Sequence, residues 1–164
     1  MPKRNKVISK ERVRKLAQER IDELDSGLFI VEIRISPSSS IQLELDKEEG
    51  YVSIDECVSV SRNIEHNLDR EKQDFELHVS SAGLDKPLRV IEQYRKNLGK
   101  EVVVLRHDGE KMKGKMLEVT DKEIVLENTR KERVEGKKKK VEIIEQVTWP
   151  MSEIKETKIV ISFK

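Results

Sequence analysis

The chain has 164 residues, of which 40% are charged and 4% are aromatic, so any core must be built mainly from isoleucine, leucine and valine. This length suits one ordinary domain or two small ones. The single cysteine, Cys57, excludes an internal disulfide and a multi-cysteine zinc site, and the histidines lack metal-site spacing, so we expect no metal and no cofactor. The longest apolar run near the N-terminus, residues 28–31, is too short for a signal sequence or a membrane span, which predicts a cytoplasmic protein.

Charge is distributed unevenly along the chain, although the net charge is only +1. Residues 1–20 carry eight Lys/Arg against two Glu, residues 21–86 have an excess of ten acidic residues, and residues 87–164 carry 19 Lys/Arg against 14 Asp/Glu. Opposed patches of this kind are typical of a protein whose basic surfaces bind nucleic acid. The alternative is that the dense mixed charge provides solubility alone.

The first half predicts a two-layer α+β domain with the order α-β-β-α-β. Ser9 is a plausible N-cap for a helix that Gly27 ends, and apolar residues then alternate with polar ones over residues 29–35 and 41–45, as in half-buried strands. Ser53 and Glu56 form a capping box, and residues 75–79 predict a third strand. The second helix has a predicted inner stripe on which Cys57 is a buried small hydrophobe: Cys57, Ser61, Ile64 and Leu68.

The second half predicts a small β-barrel of the Sm or SH3 type, preceded by a short helix over residues 91–98. Five strands are expected, at 101–106, 111–119, 123–128, 141–147 and 157–163. Asp108-Gly109 is a hairpin signal, Gly114 predicts a bend in a curved strand, and Trp149 predicts a plug in the barrel. The resulting domains are 1–86 (α+β) and 87–164 (Sm-like β-barrel).

The stretch HVSSAGLDKPLRV, residues 78–90, lies where these two patterns meet. It is a poor nucleophile elbow, because Val79 replaces the first glycine of G-x-S-x-G, and it lacks the GK[ST] of a phosphate loop. As a joint between domains it is well suited. Gly83 can take a positive φ, Pro87 fixes the direction of departure, and the Ser80 and Ser81 hydroxyls can bond nearby backbone.

LHVSSAGLDKPL is also similar to the signature of the ribosome maturation factor RimP family, which usually reads as a strand followed by SSPGLDRPL. SIDECVSVSRNIEHNLD resembles that family's second helix, and the barrel-like half resembles its Sm-like domain. The resemblance implies a non-catalytic factor that binds the free small (30S) ribosomal subunit and assists its late assembly. Ala82 stands where the family commonly has proline, and the lysine-rich insertion at 130–140 is not part of the family core. The resemblance supplies the interdomain signature Ser80, Ser81, Gly83, Leu84, Asp85, Pro87 and Leu88.

The basic residues of the second half are the candidate RNA- or ribosome-binding residues. Lysines alternate on the predicted strand 111–119 and therefore share one face, where they either contact phosphates or protect an exposed strand edge. We expect a monomer when free, with the small subunit as partner and no membrane. A general RNA-binding protein and a protein-docking adaptor with an Sm-like barrel are the alternatives. The candidates are Lys86, Arg89, Lys111, Lys113, Lys115, Arg130, Lys131, Arg133, Lys137, Lys138, Lys139 and Lys140.

Overall fold

A computed structural model describes residues 8–69, 73–133, 135–136 and 138–161. The chain forms two compact units that divide between Ala82 and Gly83. The predicted α+β class is confirmed. The helices are Lys10–Leu24 (α1), Ile54–Asn67 (α2) and Ile91–Lys96 (α3), and the strands are Leu28–Ile35 (β1), Ser40–Lys47 (β2), Glu76–Ser81 (β3), Glu101–Arg106 (β4), Lys111–Val119 (β5), Glu123–Arg133 (β6), Lys140–Pro150 (β7) and Ile154–Ile159 (β8).

The first unit is a three-stranded sheet in the order β1-β2-β3, against which α1 and α2 pack. β1 and β2 are antiparallel, whereas β2 and β3 are parallel because α2 connects them. The Ser9 hydroxyl accepts from the Arg12 backbone at the start of α1, as the N-cap prediction required. The helix ends before Gly27, since Asp25 already takes a left-handed φ of 45°. The core residues are Val13, Leu16, Ala17, Ile21, Leu28, Ile33, Ile41, Leu43, Leu45, Val60, Ile64 and Phe75.

The inner face of α2 differs from the predicted stripe. Val60 and Ile64 are fully buried, whereas Cys57 and Ser61 are only partly buried and line a surface groove. Val60 was overlooked because the pattern VSVS offers two alternative apolar faces on a helix, and only the packing against the sheet selects one of them. The prediction of Cys57 as a buried core residue is therefore wrong.

Glu56 joins the start of α2 to the sheet. Its carboxylate accepts from the Ser26 hydroxyl at 2.6 Å, from the Ser53 backbone at 3.0 Å and from the Lys47 ammonium at 3.2 Å. Burial of the carboxylate opposes ionisation, but these hydrogen bonds outweigh it and lower the pKa of Glu56 from 4.5 to about 2. The capping box predicted from Ser53 and Glu56 is present.

We expect Glu56→Gln to lower the free energy of unfolding by about 1–3 kcal/mol at neutral pH, because charged hydrogen bonds are lost. The lowered pKa means that this stabilisation is complete above pH 4.5 and is lost as the pH falls toward 2. Urea unfolding across this pH range should therefore show the wild type and variant converging in acid. Glu49→Gln, at an exposed position, is the control. A difference between wild type and Glu56→Gln that stays constant with pH would contradict this role.

The second unit is one antiparallel sheet in the order β7-β6-β5-β4-β8. β7 and β8 lie at opposite edges of this sheet, yet only the 3-10 turn Met151–Glu153 separates them in sequence. The sheet must therefore curl until its two edges approach each other at this turn, which is the curvature predicted for an Sm-like unit. The core inside the curl is made of Leu88, Tyr94, Val102, Val104, Met116, Ile124, Leu126 and Trp149.

Trp149 is buried in this core as predicted, and the Arg106 guanidinium lies 5.0 Å from its ring centroid. The Tyr94 hydroxyl donates to the Thr157 hydroxyl at 3.0 Å, and burial raises the pKa of Tyr94. This bond joins α3 to β8 within the second core.

Gly114 has a role in β5 that the sequence analysis did not predict. It lies in regular pairing with Val102, and the register shift of β5 falls later, between Met116 and Glu118. A Cβ on Gly114 would lie 2.9 Å from the Glu127 carbonyl oxygen of the next strand. Glycine is therefore needed here because β6 approaches closely.

Candidate nucleic-acid interface

The outward side of the β5 strand carries the alternating lysines. Lys111, Lys113 and Lys115 are exposed, whereas Gly114 and Met116 are buried between and beside them. The sheet surface that these three lysines share is called the outer face below. Its geometry follows from the period-2 alternation of a strand with one buried side.

β6 and β7 extend well beyond β5 as a two-stranded arm. β5 pairs with β6 only from Val119↔Ile124 to Lys115↔Glu127, whereas β6 and β7 stay paired as far as Arg133↔Lys140. Residues 128–133 and 140–145 therefore form a ribbon, called the arm. The segment 130–140, predicted to be an insertion outside the strands, lies in part within them, because residues 130–133 belong to β6 and Lys140 begins β7.

The two sides of the arm carry different charges. Odd-numbered residues of β6 continue the outer face, because Glu127 lies opposite Lys115, and this brings Lys131 and Arg133 onto that face together with Lys140. Arg130 lies on the opposite side. Its guanidinium contacts Glu132 at 3.1 Å and Glu145 at 2.6 Å, two carboxylates on that same side of the arm. The structure thus separates Arg130 from the other candidates of this segment.

The outer face gains one lysine that the sequence reasoning missed. Val103 pairs with Lys113 on one side and with Lys158 on the other, so these two lysines flank it on the same surface. Lys158 is exposed and its neighbour Thr157 is fully buried, which is the alternation of a half-buried strand. The signal was present in KETKI, but the expected strand began only at residue 157, and Phe163 within it lies outside the described residues.

Acidic side chains are interspersed on the outer face. Lys115 lies opposite Glu101 and Glu127, Lys131 lies opposite Glu142, and the Lys113 ammonium is 3.6 Å from the Glu101 carboxylate. More than half of the Lys113 and Glu101 side-chain surface is exposed, and such pairs contribute less than about 1 kcal/mol. An anion can therefore displace these carboxylates at little cost.

The remaining candidates lie outside the strands whose pairing defines this face. Lys86 and Arg89 are exposed in the segment before α3, whereas Lys138 and Lys139 are exposed at the turn between β6 and β7. Lys137 lies outside the described residues. The structure therefore gathers Lys111, Lys113, Lys115, Lys131, Arg133 and Lys140 on one surface, with Lys158 added.

The signature segment begins in β3 and ends in the second unit. Ser80 and Ser81 lie in β3, paired with Glu44 and Leu45, rather than at the strand-to-helix turn of a nucleophile elbow. Residues 83–86 form a turn closed by the Lys86 N–H on the Gly83 carbonyl, with Leu84 and Asp85 exposed at its tip. After Pro87, Leu88 is buried in the second core and its N–H donates to the Thr157 carbonyl.

Gly83 is not needed for the reason that the sequence suggested. It is absent from the described glycines with positive φ, so a left-handed conformation does not explain it. A Cβ on Gly83 would instead lie 2.7 Å from Asp85 Oδ1, the end of a side chain that can rotate away. The glycine leaves room for the Asp85 carboxylate to fold back over the turn. This need for glycine is weaker than a positive φ would impose, because the carboxylate can move.

Two further features bear on the kinds of site that the described residues can form. Within the described ranges, no three His, Cys, Asp or Glu side chains are arranged to hold a metal ion. Among the helices of those ranges, none has the length and apolarity to cross a membrane.

The chain is similar to proteins of one named family. The family model of the RimP N-terminal domain matches residues 16–85. The protein named ribosome maturation factor RimP of Christiangramia forsetii is 40% identical over 154 residues, covering 94% of this chain and 99% of the relative. Its namesake in Porphyromonas gingivalis is 40% identical over 136 residues (82% and 89% coverage), and that of Flavobacterium psychrophilum is 32% identical over 154 residues (94% and 98%).

The class defined by these relatives is that of ribosome maturation factors. The chain belongs to the RimP family. The resemblance first inferred from residues 77–88 is therefore confirmed.

Proposed function

We propose that this protein binds the free small (30S) ribosomal subunit in the cytoplasm and assists its late assembly by binding alone, as a monomer when free. The observation that carries the proposal is the outer face, where six predicted basic residues and Lys158 share one surface. Family membership supplies the ribosomal context, since the relatives are named ribosome maturation factors.

The mechanism follows from what such a surface can do. Exposed lysines on a sheet contact phosphate oxygens, which fixes the position of a protein on RNA but reads little sequence. Specificity for one assembly stage must then come from the arrangement of the phosphates, that is, from folded RNA. Binding would stabilise rRNA arrangements close to the mature subunit, with no covalent step.

The proposal is tested by competition. Labelled protein bound to purified free small subunits is challenged at physiological salt with unlabelled small subunits, complete ribosomes or total RNA of equal phosphate content. We expect only free small subunits to displace the label efficiently. Equal displacement by total RNA would favour the general RNA-binding alternative and contradict the proposal.

We also infer that residues 80–88 connect two separately folding domains, one on each side of the signature. Asp-specific endoproteinase is expected to cut first before Asp85, which is exposed at the turn. Leu88, buried in the second core, then stays with the second fragment. Mass spectrometry and circular dichroism should find two folded halves. First cuts before Asp46 or Asp55, inside the first unit, would contradict the boundary.

A further inference from the structure

The first unit contains a surface groove that the outer face does not explain. It lies between α2 and β3, has a volume of about 660 Å³, and is lined by apolar side chains from both elements, among them Ile54, Val58, Leu77 and Val79. Ile54 is 83% exposed and Val58 is 40% exposed. Large apolar side chains left open in one place are typical of a surface that a partner covers.

The floor of the groove is the edge of a strand. Five successive residues of β3, Leu77 to Ser81, line it, and alternate side chains can all border one cavity only where the strand edge faces it. Within the described residues β3 pairs with β2 alone, so its other edge offers backbone donors and acceptors to the groove. Such an edge is a template for one more strand.

Charge favours a basic occupant. Residues 21–86 carry 16 Asp/Glu against six Lys/Arg. At the groove, Glu65 is a lining residue, and exposed Asp55 and Glu76 adjoin lining residues on α2 and β3. Arg62 is the one lysine or arginine among the lining residues described. A segment with cationic side chains would therefore be attracted to this side of the unit.

We propose that the groove binds an extended, positively charged polypeptide segment of a partner protein, which adds to β3 as a fourth strand. Apolar side chains on one side of the segment pack against Ile54 and Val58, and its cationic side chains face the acidic rim. The signature residues Ser80 and Ser81 line this groove, so they contribute to the peptide site in addition to leading into the joint. The site lies on the first unit and does not depend on the outer face.

The experiment is an NMR titration of the full chain with a short synthetic peptide in which lysine and valine alternate. The expected result is chemical-shift change and slowed amide exchange over β3 and the start of α2. Val58→Arg should weaken binding about tenfold or more, through lost apolar contact and added like charge. Ile144→Arg, at an apolar position of the second unit that is 61% exposed, should leave binding unchanged.

Two control peptides test whether binding depends on backbone pairing with β3 and on positive charge. Methylating the peptide nitrogens that would face β3 should weaken binding about tenfold or more, because backbone hydrogen bonds are removed. A glutamate-valine peptide should bind much more weakly. Equal binding of the acidic peptide, shifts confined to the second unit, or self-association of the chain through β3 would overturn the proposal. Lys113→Gln should leave peptide binding intact. A failure of the groove proposal can therefore be distinguished from a failure of the proposed subunit binding through the outer face.

Discussion

Replacing Lys111, Lys113 and Lys131 together with glutamine is expected to weaken binding to free small subunits by on the order of 10–100-fold at physiological salt. The three side chains lie on the outer face, on strands that hold their spacing fixed. Each phosphate contact that is lost should reduce the slope of log affinity against log salt by about 0.7–0.9. The triple variant should therefore lower that slope by about 2–3.

Two neighbouring residues provide a matched control for this result. Arg130 and Lys131 are adjacent in β6 but lie on opposite sides of the arm, and Arg130 is already held between Glu132 and Glu145. Lys131→Gln should lower the salt slope, whereas Arg130→Gln should leave it nearly unchanged. Binding measured by fluorescence anisotropy across a salt series distinguishes the two. If both variants behave alike, the outer face is not the contact surface.

Gly114→Ala is expected to destabilise the second unit by about 3 kcal/mol or more. The added Cβ would meet the Glu127 carbonyl oxygen at 2.9 Å, and this atom belongs to the backbone of a paired strand. It cannot move without opening the β5–β6 ladder near Lys115↔Glu127, and that ladder supports the buried side chains of Met116 and Leu126. Urea unfolding, followed by the fluorescence of Trp149 in this core, measures the effect.

Gly83→Ala is the control, because its new Cβ would meet only the end of the Asp85 side chain. We expect it to cost less than about 1 kcal/mol, since the carboxylate can rotate toward water. Equal destabilisation by the two alanine substitutions would show that the close approach at Gly114 is not what requires glycine.

Much of the first unit could be predicted because local signals agree there. Ser9 and Ser53 cap the two helices as expected, and alternating residues in β2 define which side is buried. In β1 the predicted alternation over residues 29–35 is wrong at its start, because a register shift between Ile30 and Glu32 turns Leu28 and Ile30 toward the core in place of Phe29. The inner face of α2 was misassigned, since VSVS is compatible with two faces and only contact with the sheet selects Val60. For a residue at the edge of the buried face, such as Cys57, this ambiguity decides whether it is predicted to be buried or partly exposed.

In the second unit β4 and β5 have the predicted bounds, whereas the arm was harder to predict because its strands are held by backbone hydrogen bonds rather than by apolar alternation. Residues 129–133 are mostly charged, so nothing in their side chains indicates that β6 continues to Arg133. The outer face also depends on register. The shift between Met116 and Glu118 changes which residues of β5 and β6 share a side, and a single sequence does not reveal such a shift. For the same reason the position of Lys158 near Lys113 on the outer face and the separation of Arg130 from that face emerge only from the ladders.

The most direct test of the central claim is a sucrose-gradient profile of a cell lysate probed for this protein. A factor that assists late small-subunit assembly must leave before the subunits join. We predict that the protein sediments with free small subunits and is scarce on complete ribosomes and polysomes, and that the Lys111, Lys113 and Lys131 triple variant moves to the top of the gradient. A protein that follows total RNA through every fraction, or that stays at the top in its unaltered form, would contradict the account.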